Sequence, residues 1–144
     1  MTISSGQTVY LEEITAQWAF DSIIGQWQDL FERSSTATPF QSPAWLYNWW
    51  KFFSPGQLMA LAVHTDSRLT GLAPFFVKEA EGRRQVSFIG TGITDYNDIL
   101  AADEVKYDVA AIVLEYLISS GRYLDESTLI DVSGNSAMVE CGKE

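Results

Sequence analysis

The sequence predicts an α/β domain of the α+β kind, with helices packed on a mixed, mainly antiparallel sheet in the order β-α-α-β-β-β-α-β. Three observations lead there. Residues 58–64, 69–78 and 84–89 are consecutive β-prone runs joined by short polar turns, the pattern of an antiparallel meander. Two stretches ahead of the meander repeat apolar residues at helical spacing, and one stretch behind it does the same. The chain has 144 residues, 47% of them hydrophobic and 19% charged, which suits one domain with its own core.

The elements follow in order. Residues 8–14 are β-prone with moderate alternation and form a first strand. Phe20, Ile23, Ile24, Trp27, Leu30 and Phe31 share one helical face, so a helix is expected over 20–33. Gly25 weakens that helix by about 1 kcal/mol relative to Ala without removing it. After the polar run at 34–39, Ser42-Pro43 supplies an N-cap and a first-turn proline for a second helix over 43–53, which Ser54-Pro55-Gly56 closes. The strand at 58–64 is apolar on both faces and therefore central.

In the next strand Pro74 has no N–H to give to a ladder, so it must lie at an edge, a bulge or a strand end. Residues 90–98 form a loop rich in Gly, Thr, Asp and Asn, and 99–101 a short extended piece. Val105, Val109, Ile112, Val113, Tyr116 and Leu117 then mark a helix over 105–120, with Gly121 as its C-cap, before a last strand at 128–132. The folded lobe is expected to span 1–132, with an irregular tail over 133–144.

Charge narrows the function. Nine Lys and Arg against nineteen Asp and Glu leave a net charge of −10, and no basic stripe interrupts the acidity. Nucleic-acid binding rests on neutralising phosphates, and docking on anionic lipid needs a basic face, so both are poorly served. One cysteine, Cys141, precludes an intrachain disulfide, and one histidine, His64, leaves no Cys/His zinc pattern and no metal site is expected. The opening residues lack a basic region followed by an apolar run, and Glu115 splits the longest apolar stretch, so the expected location is cytoplasmic with no membrane span.

Two segments are rich enough to carry chemistry. Residues 40–50 hold Phe40, Trp45, Tyr47, Trp49 and Trp50, more rings than one helical face can bury, so at least one ring is expected at a surface or cleft wall. Core packing is the plainer use of such a stripe, and an interfacial helix a third, supported only by Lys51. Residues 90–98 match neither a phosphate-binding loop nor a calcium loop. They present Asp95, Tyr96 and Asp98, which could hydrogen-bond a polar substrate while a carboxylate accepts a proton from an attacking amine; a solvated turn capped by its own Asp and Asn is the alternative. His64, in an apolar strand with no nucleophile signature nearby, reads as structural, and Cys141 has no setting that would activate it.

Taken in register, F-Q-S-P-x-W-L-x-x-W-W at 40–50, H-T-D at 64–66, L-x-G-L-A-P-F at 69–75 and F-I-G-T-G-x-x-D-Y-N-D-I-L at 88–100 resemble the CelD-like GNAT acyltransferases, relatives of the FemAB aminoacyl transferases. The likeness covers residues 8–132 and implies a GNAT-like fold and transfer of an acyl group from acyl-CoA, acetyl-CoA included, or from an aminoacyl carrier. The implied acceptor is an amine or hydroxyl of a cell-envelope or exopolysaccharide precursor. By the same resemblance Gln41, Trp45 and Trp49 are substrate-side residues and Asp95-Tyr96 match the family's D-Y motif, while the loop's own chemistry makes Tyr96 a substrate contact and Asp95 and Asp98 candidate catalytic bases.

Such relatives are typically twice this length with two GNAT-like lobes, and this chain corresponds to the first. The donor loop of GNAT enzymes, Gln/Arg-x-x-Gly-x-Gly/Ala opening a helix, is not matched by Gly90-Thr91-Gly92. Two readings stand side by side: an acyltransferase lobe incomplete by itself, and a non-catalytic module that self-associates or pairs with a second lobe.

Overall fold

The computed structural model describes residues 7–91, 98–119 and 126–127. Strand β1 (Val9–Ile14) leads into helices α1 (Gln17–Ser22) and α2 (Ile24–Arg33), a 3-10 turn at Pro39–Gln41, and α3 (Pro43–Phe53). A meander follows: β2 (Gln57–Thr65), β3 (Arg68–Ala80) and β4 (Arg83–Phe88). Short β5 (Leu100–Ala101), a 3-10 turn at Asp103–Val105, α4 (Lys106–Ser119) and β6 (Glu126–Ser127) follow among the described residues. The sheet runs β1-β2-β3-β4-β6, antiparallel except for the parallel β4–β6 pair, while β5 pairs with β3. This is the mixed, mainly antiparallel sheet with packed helices that the sequence predicts.

Most elements begin and end within a residue or two of expectation, and α3 has the bounds that Ser42-Pro43 and Ser54-Pro55 predict. The single helix expected over 20–33 is a correction. The chain breaks at Ile23 (φ −96°, ψ 0°) into α1 and α2, which lets Phe20 and Trp27 both turn inward with their rings 5.4 Å apart. Gly25, the weak point suspected from propensity, lies inside α2 and is not the break. The strand expected at 128–132, the Gly121 cap and the tail over 133–144 lie outside the described residues.

Strand alternation sorts the helices into two layers. Phe76 packs against Trp49 and Trp50, so α3 lies on its face of the sheet; α1 and α2 join α3 there through Phe20–Tyr47 ring contact and the Trp27 indole N–H donated to the Gln41 carbonyl at 3.0 Å. Gly71 points to the opposite face, where α4 crosses. A Cβ at Gly71 would lie 2.4 Å from a Val109 methyl, so the approach of α4 requires glycine. Between the layers Trp27, Phe20, Phe75 and Phe88 are fully buried, each worth roughly 2–3 kcal/mol of apolar transfer.

Besides a register shift between β2 and β3 at Val63/His64, the sheet has an interruption beside β3 that Pro74 explains. A strand residue aims its N–H and C=O to the same side, and the Pro74 carbonyl accepts the Ile89 N–H at 2.8 Å, so the missing N–H of Pro74 also faces β4. It cannot return a bond to Ile89, and the β3–β4 ladder stops. The chain turns away over Phe88–Thr91, with Gly90 at φ +103° and Thr91 bonded back to Phe88. It rejoins β3 only at Leu100, opposite Leu72. Pro74 is thus interior to β3 yet sits at the end of its partner's ladder, and β4 and β5 are two halves of one interrupted strand.

Candidate functional site

The interruption opens beside the start of α3. Ser42 caps that helix, its hydroxyl oxygen accepting the Trp45 N–H at 3.2 Å. One residue earlier Gln41, only 5% exposed, ties three segments together. Its Oε1 accepts the Thr38 N–H at 2.8 Å, its Nε2 donates to the Ile99 carbonyl at 3.1 Å, and its own carbonyl accepts from Trp27. The place where the chain re-enters the sheet is therefore pinned to the start of the aromatic helix. Asp98 stands at the outer end of that junction, half-buried, with Oδ1 accepting the Ile99 N–H at 2.8 Å.

Trp45 is 38% exposed on the outer side of α3 and meets Phe40 edge-on at 5.4 Å. Trp49, one turn on, is buried against Phe76 and Phe53, and its indole N–H has no hydrogen-bond partner among the described residues. Phe53 and Phe52 continue the row to the end of the helix, the latter 82% exposed. The structure thus brings Gln41 and Asp98 to one junction and sets Trp45 one helical turn from Gln41. Trp49 faces inward rather than the opening. Asp95 and Tyr96 lie outside the described residues, as does Cys141.

The helix layer is braced by a polar clamp that periodicity does not reveal. Tyr47 donates its hydroxyl to Asp21 Oδ1 at 2.5 Å, Gln17 Nε2 donates to the same oxygen at 2.9 Å, and Gln17 Oε1 accepts the Trp50 indole N–H at 3.0 Å. The Tyr47 hydroxyl, with Gln17 adding to it, holds the Asp21 carboxyl below the ordinary carboxylate range, and the carboxylate in turn pushes the Tyr47 phenol up. His64 is buried under Tyr10, the rings stacked at 4.8 Å, with Nε2 3.1 Å from Glu12 Oε1. Both of those partners come from β1, away from the interrupted strand.

Among the described residues no group of three potential metal ligands occurs, and no helix is long and apolar enough to cross a membrane.

No protein-family model and no curated protein sequence matches the chain. Its likeness to known proteins lies in the fold. A GNAT family acetyltransferase from Staphylococcus aureus superposes with a TM-score of 0.55 at 13% identity, over 89% of this chain and 88% of that one. An acetyltransferase from Trypanosoma brucei gives 0.56 at 14% identity, over 88% and 84%. An aminoglycoside N-acetyltransferase in complex with CoA gives 0.52 at 13% identity, over 96% and 86%. The chain has the fold of the GNAT acetyltransferases, at identities that speak to fold alone.

Proposed function

We propose that this chain is the acceptor-side lobe of a GNAT-type acyltransferase of the CelD/FemAB kind, working in the cytoplasm on an amine or hydroxyl of a cell-envelope or exopolysaccharide precursor. The observation that carries the reading is the Gln41–Ile99 hydrogen bond at 3.1 Å, which ties the segment that begins with Asp98 to the start of the helix that carries the exposed Trp45. In this reading Trp45 forms the wall of the acceptor cleft and Trp49 supports it from inside. Tyr96 hydrogen-bonds the acceptor, Asp95 or Asp98 accepts the proton of the attacking group, and Gln41 positions the loop that carries them. Acyl transfer asks little of a protein beyond proximity, a base and oxyanion donors, so a small constellation suffices.

The donor is a separate question, since one structural neighbour is in complex with CoA. A nucleotide diphosphate seeks a helix start with free N–H groups and no opposing charge. The helix after the interrupted strand, α4, opens instead with exposed Asp103 and Glu104 in the preceding turn and Asp108 in its own first turn. Asp103 Oδ1 already accepts the Ser35 N–H at 3.1 Å. Lys106 at the first position of α4 is outnumbered by these three carboxylates, a balance that disfavours a diphosphate and supports a donor, acyl-CoA or aminoacyl carrier, held by a second lobe or a partner.

Titration of the purified chain with acetyl-CoA, alongside an amino-sugar acceptor such as glucosamine, tests the reading. Saturable acceptor binding that Trp45→Ala removes, without saturable acetyl-CoA binding, is the expected result. Saturable acetyl-CoA binding by the chain alone would overturn the acceptor-side assignment. A second reading, an assembly module, is favoured by the exposure of Phe52 at 82%, Phe53 at 48% and Trp18 at 76%. A stable dimer in sedimentation that Phe52→Asp dissociates, with no acceptor binding, would select it.

A further inference from the structure

Among the described residues β1 forms one edge of the sheet, paired on one side only. The Thr8 carbonyl accepts the Asp66 N–H at 2.9 Å, so Thr8 faces β2, as do Tyr10, Glu12 and Ile14 by alternation. The N–H and C=O groups of Val9, Leu11 and Glu13 therefore face away from the sheet. The side chains of the same three residues project toward the α4 face, because Leu11 pairs with Val63 and Val63 with Gly71. There the C-terminal half of α4 stands off from β1, leaving a groove of about 400 Å³ lined by Val9, Tyr10, Leu11, Ile112, Tyr116 and Glu115. Tyr116 bridges its floor by donating to the Glu13 carboxylate.

We propose that this edge and groove take an extended polypeptide of basic, alternating apolar character, which adds to the sheet as a strand beside β1. The backbone groups of Val9, Leu11 and Glu13 supply the ladder, and the groove takes every second side chain of the incoming strand. Charge selects the occupant. Glu12, Glu13 and Glu115 are all exposed, and among the described residues β1 and the groove lining carry no lysine or arginine. A second copy pairing through β1 would set two such acidic strands side by side on chains of net charge −10 each, which like-charge repulsion opposes. Lysine or arginine on the incoming strand reverses the sign of that interaction.

The test is an NMR titration of the 15N-labelled chain with a blocked peptide of alternating valine and lysine. Shifts should centre on the amides of Val9, Leu11 and Glu13 and on residues 112–119, and salt should weaken them. Leu11→Pro removes an outward N–H without touching the β2 ladder, and should weaken binding by about tenfold or more while spectral dispersion is retained. Glu115→Lys changes only an exposed charge and should weaken binding by about threefold to tenfold, which keeps the test sharp if the proline variant is poorly folded. No shift at the β1 amides, equal binding of a valine–glutamate peptide, or shifts centred on α3 would overturn the proposal.

Discussion

Replacing Gln41 by leucine asks whether this residue is a latch or a ligand contact. Leucine has nearly the same volume but neither accepts from Thr38 nor donates to Ile99, two bonds of 2.8 and 3.1 Å. The Ile99 bond is buried, so its carbonyl loses its donor where water does not easily replace it, a cost of about 1–3 kcal/mol. The Thr38 N–H is only partly buried and costs less, on the order of 1 kcal/mol. The apolar leucine returns up to about 1 kcal/mol of burial at a site 5% exposed, leaving a net loss of roughly 1–4 kcal/mol. Urea unfolding should show this as a lower midpoint with an unchanged slope. Hydrogen exchange should accelerate first at Ile99 and at Ala102, whose N–H bonds the Thr70 carbonyl. A stability change below about 0.5 kcal/mol with acceptor binding abolished would refute the latch and make Gln41 a direct contact.

Three other outcomes are expected. Gly71→Ala forces a methyl to within 2.4 Å of a Val109 methyl and should destabilise by about 1–3 kcal/mol as α4 is pushed outward; calorimetry showing a raised Tm would contradict that packing. Trp45→Ala should weaken acceptor binding more than it weakens folding, since the ring is 38% exposed; equal loss of both would return Trp45 to the core. The clamp on Asp21 has a definite sign: because its folded pKa is lowered, its contribution is present above the ordinary carboxylate range and is lost as pH falls through the lowered value. Tyr47→Phe removes the largest cause, so the Asp21 carboxyl should titrate at higher pH by NMR and the acid limb of the stability profile should flatten.

The fold was legible where one physical signal dominated. Ser42-Pro43 fixes the start of α3 because capping and a proline's φ act locally, and the meander shows because short polar turns leave few alternatives. The break between α1 and α2 was not legible: the apolar face runs through Ile23 without a phase change, and the kink serves packing between Phe20 and Trp27. Pro74 announced that a ladder must end, but not on which side. Which partner stops depends on the direction of its carbonyl, a property of register. In the candidate site, an exposed ring was anticipated and Trp45 supplies it, while the buried position of Trp49 follows from the rotation of α3 over Phe76. The carboxylates ahead of α4 were visible all along, yet acidic residues opening a helix are so ordinary that their bearing on a donor emerges only once that helix is seen to follow the interrupted strand.

The break opposite Pro74 also separates two things that hairpins usually join. Phe88 is opposite Phe75 and Leu100 opposite Leu72, so three steps along β3 correspond to twelve along its partner. Both half-strands are anchored independently, one by the β4 ladder and the other by Gln41 and the Thr70 carbonyl. Residues inserted into or deleted from the excursion between them need not slip any strand pairing or turn any core side chain to the wrong face. The excursion is therefore a cassette whose length and chemistry can diverge while the sheet beneath it stays in register.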